Sequence, residues 1–494
     1  MPDIAFFGNN RKGQSMFDDL REFIKKAENI GEYQALEDAD WDLEIGALTE
    51  LLGEASGGPL LLFDKIKDYQ GGYRVVTNAF NSLRRTALGL GLSDDGIATG
   101  MDLVRRYREK VANGVKLMPP EYVDSGPIKE NIITGPDIDL MRFPVPKWHE
   151  LDGGRYIGTG SVTIARDPDS GWINLGTYRA QVHDRDTVGV NAAPGRHMDI
   201  ICKKYWEKGQ SCPAAIVCGQ EPILFATSAF DVPTEVSEYD YAGGLKGAPI
   251  VVTKGLTTDL PIPATAEIVL EGEILPPEVE TREEGPFGEW AGYYAKGITG
   301  QPVMKVKAIL HRDNPIILGC PPFVNPGAYS IGRHIQTSAA VWDELDGQIP
   351  GVKGVYNLEA GAAKSIMVVS LKQQYGGHAK QAGMLVAASR KTQVVTRFVI
   401  VVDEDIDPSN ISEVLWALGT RVEPDKAIDI ISGCWGLGSN PTLSPERRDK
   451  GDFTHSIAIV LACRPYAWIN EFPPSVKSSP ELIARTRKKF AWLF

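Results

Sequence analysis

The sequence predicts a multidomain protein of mixed α+β and α/β class, with an N-terminal α+β unit, a central unit built mainly of strands, and a C-terminal α/β unit. Three observations carry this expectation. The chain has 494 residues, more than one domain of ~100–200 residues accounts for. Strand-like segments separated by Gly and Pro crowd into residues 131–320. Beyond Asn325-Pro326, strand and helix patterns alternate instead. With 43% hydrophobic and 23% charged residues, the composition is that of a globular protein and not a disordered one.

In the first unit (1–118), Ser15 is placed to cap a helix whose Phe17, Leu20 and Ile24 share a face, with Asp18 three residues on favouring its N-terminus. Leu60-Leu61-Leu62-Phe63 and Tyr73-Arg74-Val75-Val76 read as short strands, and a helix at 103–111 closes the unit before the boundary at Pro119-Pro120. The second unit (119–325) has strands predicted at 160–165, 173–182, 214–218, 250–253, 266–274 and 303–310, a spacing that suggests a β-barrel or sandwich. In the third (326–494), helices at 335–345, 380–388 and 411–418 alternate with strands at 365–371 and 398–402. Asp407-Pro408-Ser409 reads as a helix start. The tail 480–494 interleaves Leu482, Ile483, Phe490 and Leu493 with Arg485, Arg487, Lys488 and Lys489. Such a basic amphipathic helix is able to bind membranes, but in a soluble enzyme it reads as a subunit-docking helix.

A formal net charge of −12 argues against non-specific nucleic-acid binding, which depends on neutralising phosphates. The six cysteines (Cys202, Cys212, Cys218, Cys320, Cys434, Cys463) contain no C-x2-C pair, so neither a zinc ribbon nor a dithiol redox centre is written here. Reduced thiols in a cytoplasmic setting are expected. The start, Met1-Pro2-Asp3-Ile4-Ala5-Phe6-Phe7-Gly8, lacks the pattern of a signal peptide. No apolar run approaches the ~20 residues of a membrane-spanning helix.

Six polar residues in the central unit carry the chemistry: Asn174, Arg179, His197, Glu238, Glu284 and Glu289. An Asn oxygen, a His nitrogen and a carboxylate make a mixed set suited to Mn²⁺ or Mg²⁺, with coordination positions left for a ligand phosphate. Glu284 and Glu289 flank Gly285-Pro286-Phe287-Gly288, a turn sequence that keeps both carboxylates out of helix packing. One is expected to pair with Arg179 and stay ionised, the other to be buried and exchange a proton with substrate. A glycosidase also uses two carboxylates, but no run of aromatic platforms surrounds these. Arg179 suits a substrate carboxylate through two parallel hydrogen bonds. Asn174 and Arg179 are an odd number of residues apart and face opposite sides of an ideal strand, so a bulge at Gly176 is expected to re-aim one of them.

In order, Trp-x-Asn-x4-Arg (Trp172, Asn174, Arg179), His197, Glu238 and Glu-x4-Glu (Glu284, Glu289) resemble the UbiD family of prenylated-FMN-dependent decarboxylases, in particular its ferulic acid decarboxylase branch. Asp152-Gly153-Gly154-Arg155-Tyr156, Glu267-Ile268-Val269-Leu270-Glu271-Gly272, Gly377-His378-Ala379-Lys380-Gln381-Ala382 and Val402-Asp403-Glu404-Asp405-Ile406-Asp407 extend the resemblance over nearly the whole chain.

The resemblance implies a flavin-reductase-like split β-barrel at the centre and a C-terminal oligomerisation helix in a homodimer or homohexamer. It implies prenylated FMN, made by a separate flavin prenyltransferase, with Mn²⁺ (or Mg²⁺) on Asn174, His197 and Glu238, and K⁺ near Trp172 and Ser228. Thr177, Tyr178, Arg179, Arg196 and Arg397 join Asn174, His197, Ser228 and Glu238 around the cofactor. Arg179, Glu284 and Glu289 form the catalytic network, with Glu289 as proton donor, acting on a small carboxylic acid that loses CO₂. Trp290, Trp435 and Leu437 are expected to line a pocket for a flat aromatic, heteroaromatic or α,β-unsaturated acid. Two departures stand out: Arg397 where relatives carry Lys, and Arg196 where ferulic acid decarboxylases carry Gln, a change that favours a more polar acid than cinnamic acid. Two other readings compete. One is a serine hydrolase using Ser330 in Ala328-Tyr329-Ser330-Ile331-Gly332, although Pro321, Pro322 and Pro326 interrupt the strand such a turn requires. The other is a non-catalytic flavin-binding protein of the same fold.

Overall fold

The computed structural model describes residues 17–53, 57–233, 235–324 and 332–493. Ser330, and with it the serine-hydrolase turn, lies outside them. So does Ser15: the first helix runs Leu20–Asn29 and is capped by Asp19, whose carboxylate accepts from Glu22 N. The expected cap is thereby corrected, since Asp18 precedes the helix and is not in its first turn. The apolar face is as patterned, with Leu20, Phe23, Ile24 and Ala27 buried.

The N-terminal sheet orders Tyr33–Glu37, Leu60–Asp64, Arg74–Thr77 and Ile316–Leu318. Its last strand arrives from far along the chain and pairs parallel to Arg74–Thr77. Helix Gly100–Val111, closed by a Thr99/Asp102 capping box, packs against helix Arg333–Asp346 of the C-terminal unit. Arg108 binds Asp343 and Asp346 across that contact, and Gln336 donates to the Tyr107 hydroxyl.

The central unit is a ten-stranded antiparallel sheet that curls into a half-barrel. Its order is Arg155–Gly158, Ala180–Val182, Thr187–Val190, Ile298–His311, Ile268–Ile274, Cys212–Cys218, Ser161–Arg166 and Ile173–Gly176, with Asn131–Thr134 and Thr281–Glu284 also on the long strand Ile298–His311. Alternate residues point to opposite faces of a strand, and both faces here are covered. Ala215, Val217 and Val269 join one apolar cluster, and Ile216, Cys218, Ile268 and Leu270 join the other. Two strand expectations need correction. The run 173–182 is two strands, Ile173–Gly176 and Ala180–Val182, at separate places in the sheet. Val251–Lys254 is a strand but belongs to a separate three-stranded sheet with Glu121–Val123 and Pro261–Pro263.

The C-terminal sheet orders Val352–Asn357, Ile366–Leu371, Phe398–Asp403, His455–Ala462 and Ile428–Cys434, parallel in the middle and antiparallel at both edges. Helix Ile411–Arg421 starts at an Asn410 cap and not at Asp407, whose carboxylate instead accepts from Ser409 N in the preceding turn. The tail forms helix Pro480–Lys489, capped by Ser479, with Leu482, Ile483 and Phe490 exposed. All six cysteines are free thiols. Among the described residues, no helix is long and apolar enough to cross a membrane.

Candidate active site

The break in the predicted 173–182 strand positions the site. Asn174 stays in register with Ala165 on Ile173–Gly176. The chain then leaves that strand, so Arg179 stands at the entry to Ala180–Val182, which pairs with Arg155–Gly158 and Thr187–Val190. A change of strand, and not the expected bulge, lets residues an odd number apart serve neighbouring parts of one site. Gly176 matters at this corner because a Cβ there would lie 2.4 Å from the Tyr178 ring.

Arg179 is clamped between the two glutamates. Its Nε and Nη2 donate to Glu284 Oε1 and Oε2, both at 2.8 Å, and its Nη1 donates to Glu289 Oε1 at 2.8 Å. The Glu284 side chain is 1% exposed and that of Glu289 25%. Glu284 also accepts from the Tyr156 hydroxyl at 3.0 Å and from Asn191 Nδ2 at 3.1 Å, so each carboxylate oxygen has two donors. Burial opposes the charge of Arg179, but the bonds and charges of Glu284 and Glu289 outweigh it and hold the guanidinium above its ordinary pKa. Burial, then Glu284, pushes the Tyr156 phenol upward, keeping it a neutral donor. The expected division, one glutamate on Arg179 and the other buried apart, is corrected: both bind Arg179, and the less buried Glu289 has the looser hold.

The motif around Gly153 buttresses this loop. Gly153 N donates to Pro286 O at 2.8 Å, and a Cβ on Gly153 would meet Gly285 O at 1.9 Å. Gln181 Oε1 accepts from Gly285 N and lies 3.2 Å from the Tyr156 hydroxyl oxygen, and the Tyr156 ring is tilted against Phe287 at 4.0 Å between ring centroids. Glu289 sits at the head of a tight turn, donating its N–H to Tyr293 O.

The second cluster gathers three elements. Asn174 is on the strand, His197 opens helix His197–Trp206, and Glu238 opens helix Glu238–Lys246. Asn174 Nδ2 lies 3.3 Å from His197 Nδ1 and 3.2 Å from Glu238 Oε1, and Leu175 N donates to Glu238 Oε2 at 2.7 Å. Burial pushes Glu238 up to about 7 and His197 below its ordinary value. Both shifts are caused first by burial, which disfavours charge on either group. Asn174 Oδ1 and Ser228 Oγ are buried without a hydrogen-bond partner, a condition rare in the absence of a ligand. A half-turn of the Asn174 amide puts that oxygen where its nitrogen stands, completing an O/N/O set that fits a hard divalent cation. Among the described residues, no group of three His, Cys, Asp or Glu side chains offers another metal site.

The other predicted residues are distributed around these clusters. The Trp172 ring meets His197 edge-on at 4.9 Å, and its carbonyl accepts from Asp167 N. Tyr178 is half-buried and its hydroxyl accepts from Met198 N; Thr177 and Arg196 are exposed. Trp290 donates through Nε1 to Ser439 Oγ at 3.1 Å, tying the turn after Glu289 to the loop that carries Leu437. The Trp435 ring in that loop is 62% exposed. Arg397 is not brought to the cation cluster. It lines a cavity of about 430 Å³ within the C-terminal unit with Gly433, Asn440, Thr442, Arg447, Thr454, His455 and Ser456, and its Nη1 is buried without a partner.

Sequence reasoning missed the cage of Glu284. Tyr156 lay inside a motif it had singled out, but Asn191 and Gln181 carried no local signal. It also missed Lys364, whose ammonium lies 5.2 Å over the Trp290 ring. Burial, with Arg333 acting in the same sense and Glu289 against it, pulls Lys364 down to about 7.

A half-barrel carrying an Arg between two glutamates, beside a cation-ready Asn/His/Glu cluster, defines a carboxy-lyase of the kind that decarboxylates with a bound flavin. The chain belongs to the UbiD family. It matches the N-terminal domain (residues 24–101), the Rift-related domain (121–323) and the C-terminal domain (333–460) of 3-octaprenyl-4-hydroxybenzoate carboxy-lyase. It is 34% identical over 443 residues to a phenolic acid decarboxylase of Sedimentibacter hydroxybenzoicus, covering 87% of this chain and 89% of that one. It is 32% identical to a pyrrole-2-carboxylic acid decarboxylase of Pseudomonas aeruginosa, covering 82% and 83%. Among solved structures, the open form of S. hydroxybenzoicus vanillic acid decarboxylase superposes with a TM-score of 0.82 at 29% identity, covering 97% of this chain and 100% of that one. The UbiD-class enzyme HmfF of Pelotomaculum thermopropionicum in complex with FMN superposes with a TM-score of 0.83 at 28% identity, covering 96% and 100%.

Proposed function

We propose that the enzyme removes CO₂, reversibly and without net oxidation, from an aromatic, heteroaromatic or α,β-unsaturated carboxylic acid, using prenylated FMN, Mn²⁺ (or Mg²⁺) and K⁺. The observation that carries this reading is the placement of Arg179 between Glu284 and Glu289. Three of the five guanidinium N–H groups are used there, which leaves two for a substrate carboxylate. Glu284, saturated by its four donors, orients Arg179. Glu289, held by one hydrogen bond from Arg179, delivers a proton to the carbon that has lost CO₂.

Prenylated FMN, when bound, accepts the electron pair left as CO₂ departs. Asn174, His197 and Glu238 would hold the divalent cation, which would help anchor the anionic cofactor, and Trp172 and Ser228 would hold K⁺. Thr177, Tyr178 and Arg196 complete the cofactor's surroundings, and Arg397, which lines the separate C-terminal cavity, is left out of them. Trp290, Trp435 and Leu437 line the substrate side. The phenolic and pyrrole-carboxylic acid decarboxylases among the relatives support an aromatic or heteroaromatic acid. The HmfF structures with FMN and with prFMN support the cofactor. A flavin prenyltransferase supplies the cofactor in this reading, and the free thiols fit a cytoplasmic setting. The exposed Leu482, Ile483 and Phe490 of the tail helix fit docking in a homodimer or homohexamer.

The test is co-expression with a flavin prenyltransferase, followed by an ultraviolet–visible spectrum, a denaturing mass spectrum, and CO₂ release from a panel of aromatic, heteroaromatic and acrylic acids. Bound prenylated FMN with turnover is expected. A folded, Mn²⁺-supplied protein that takes up no flavin overturns the reading.

A further inference from the structure

Ser228 and Glu238 come from one helical hairpin. Helix Pro222–Ser228 ends on the first, and helix Glu238–Lys246 begins on the second. At the other end of the hairpin, Glu221, the residue before the first helix, meets Lys246, the last of the second. Their Oε2 and Nζ are 2.8 Å apart, and each side chain is 4% exposed. Since the start of one helix touches the end of the other, the two run antiparallel, and Ser228 and Glu238 share the far end. At ~1.5 Å rise per residue, the second helix of 9 residues spans ~13 Å from this ion pair to Glu238.

The surroundings of the pair do not require charge. All seven residues of the first helix are buried, and burial pushes Glu221 up to about 7. Lys246 is held above its ordinary value despite burial, by Glu221 and by Asp18, whose Oδ1 lies 3.0 Å from Nζ. Desolvating two ions offsets most of their attraction, so a buried pair adds little net stability over apolar side chains of the same volume, and its best-attested use is to fix a conformation. The hairpin offers a conformation worth fixing. Glu238 must meet Asn174 and His197, which ride on a strand and on a different helix, and a slip of the hairpin moves Glu238 against both.

We propose that Glu221 and Lys246 are positioning residues, whose buried ion pair sets the reach of Glu238 into the divalent-cation cluster. The proposal rests on the reading of Asn174, His197 and Glu238 as cation ligands. It is tested by titrating Mn²⁺ into the full chain supplied with FMN, following free Mn²⁺ by electron paramagnetic resonance, with folding checked by circular dichroism. Glu221→Gln and Lys246→Met are expected to weaken Mn²⁺ binding by about tenfold, within the range reached by residues coupled to a site through packed elements. Glu221→Asp keeps both charges and shortens the reach by one methylene, so it stays folded, and it is expected to weaken Mn²⁺ binding about threefold.

The double variant Glu221→Leu/Lys246→Met separates positioning from plain stability. It is expected to regain the melting temperature lost in the single variants, as apolar replacements of buried pairs do, without regaining Mn²⁺ affinity. Affinity that returns together with stability, or that stays at the wild-type level in Glu221→Asp, overturns the positioning role alone. Wild-type protein that binds no Mn²⁺ overturns the ligand reading and this proposal with it.

Discussion

The two polar clusters of the central half-barrel are built on opposite plans. In the Arg179 network every oxygen of Glu284 is matched by protein donors. In the Asn174 cluster the buried Asn174 Oδ1 and Ser228 Oγ have no hydrogen-bond partner, and burial raises the Glu238 carboxylate to about 7. The hydrogen bonds of the first are completed by the fold itself. On the proposed reading the second is completed by a divalent cation, so its stability and its geometry depend on what is bound. Preorganisation belongs where charge and orientation must be correct at the moment of reaction. Incompleteness belongs where a loadable group is anchored.

If Glu289 is the proton donor proposed above, its removal gives the largest expected contrast. Glu289→Gln should lower turnover by about 10²–10⁴-fold while flavin retention, read from the absorbance of the purified protein, stays at the wild-type level. A loss of flavin on that substitution would merge the two clusters into one functional unit. Next, Glu284→Ala strips Arg179 of its buried partner and should cost about 3–5 kcal/mol in denaturant unfolding, as breaking buried ion pairs does. Glu238→Gln in metal-free protein should be neutral or stabilising by the same measurement, because it removes a buried charge without a cation and keeps an acceptor for Leu175 N. Equal destabilisation by both would refute the difference in plan.

Smaller still, His197→Ala should weaken Mn²⁺ binding about 10–100-fold, read by electron paramagnetic resonance, and leave the melting temperature of the metal-free protein nearly unchanged. The smallest effect concerns Glu221. Burial raises its folded pKa from 4.5 to about 7, so the folded state binds this proton more tightly than the unfolded chain does. Its contribution to stability is fully present below the unfolded pKa and is lost as pH rises through about 7. Glu221→Gln should therefore flatten the fall in melting temperature between about pH 4.5 and pH 7 by about 2–4 °C, followed by calorimetry.

Much of this protein was determined by its sequence alone. The chemistry-bearing residue types, their order and the family they resemble were legible, because Trp-x-Asn-x4-Arg and Glu-x4-Glu are local patterns. The helices Gly100–Val111 and Arg333–Asp346 and the strands Cys212–Cys218 and Phe398–Asp403 follow from periodicity, which depends only on near neighbours. Tertiary structure decided the rest. It divided 173–182 between two places in the sheet, moved Val251–Lys254 out of it, and supplied Glu284 with Tyr156 from 128 residues away. It also decided which glutamate is buried and which is left partly exposed. Burial and hydrogen-bond satisfaction are properties of contacts between distant segments, and a local pattern can name a carboxylate without stating what surrounds it.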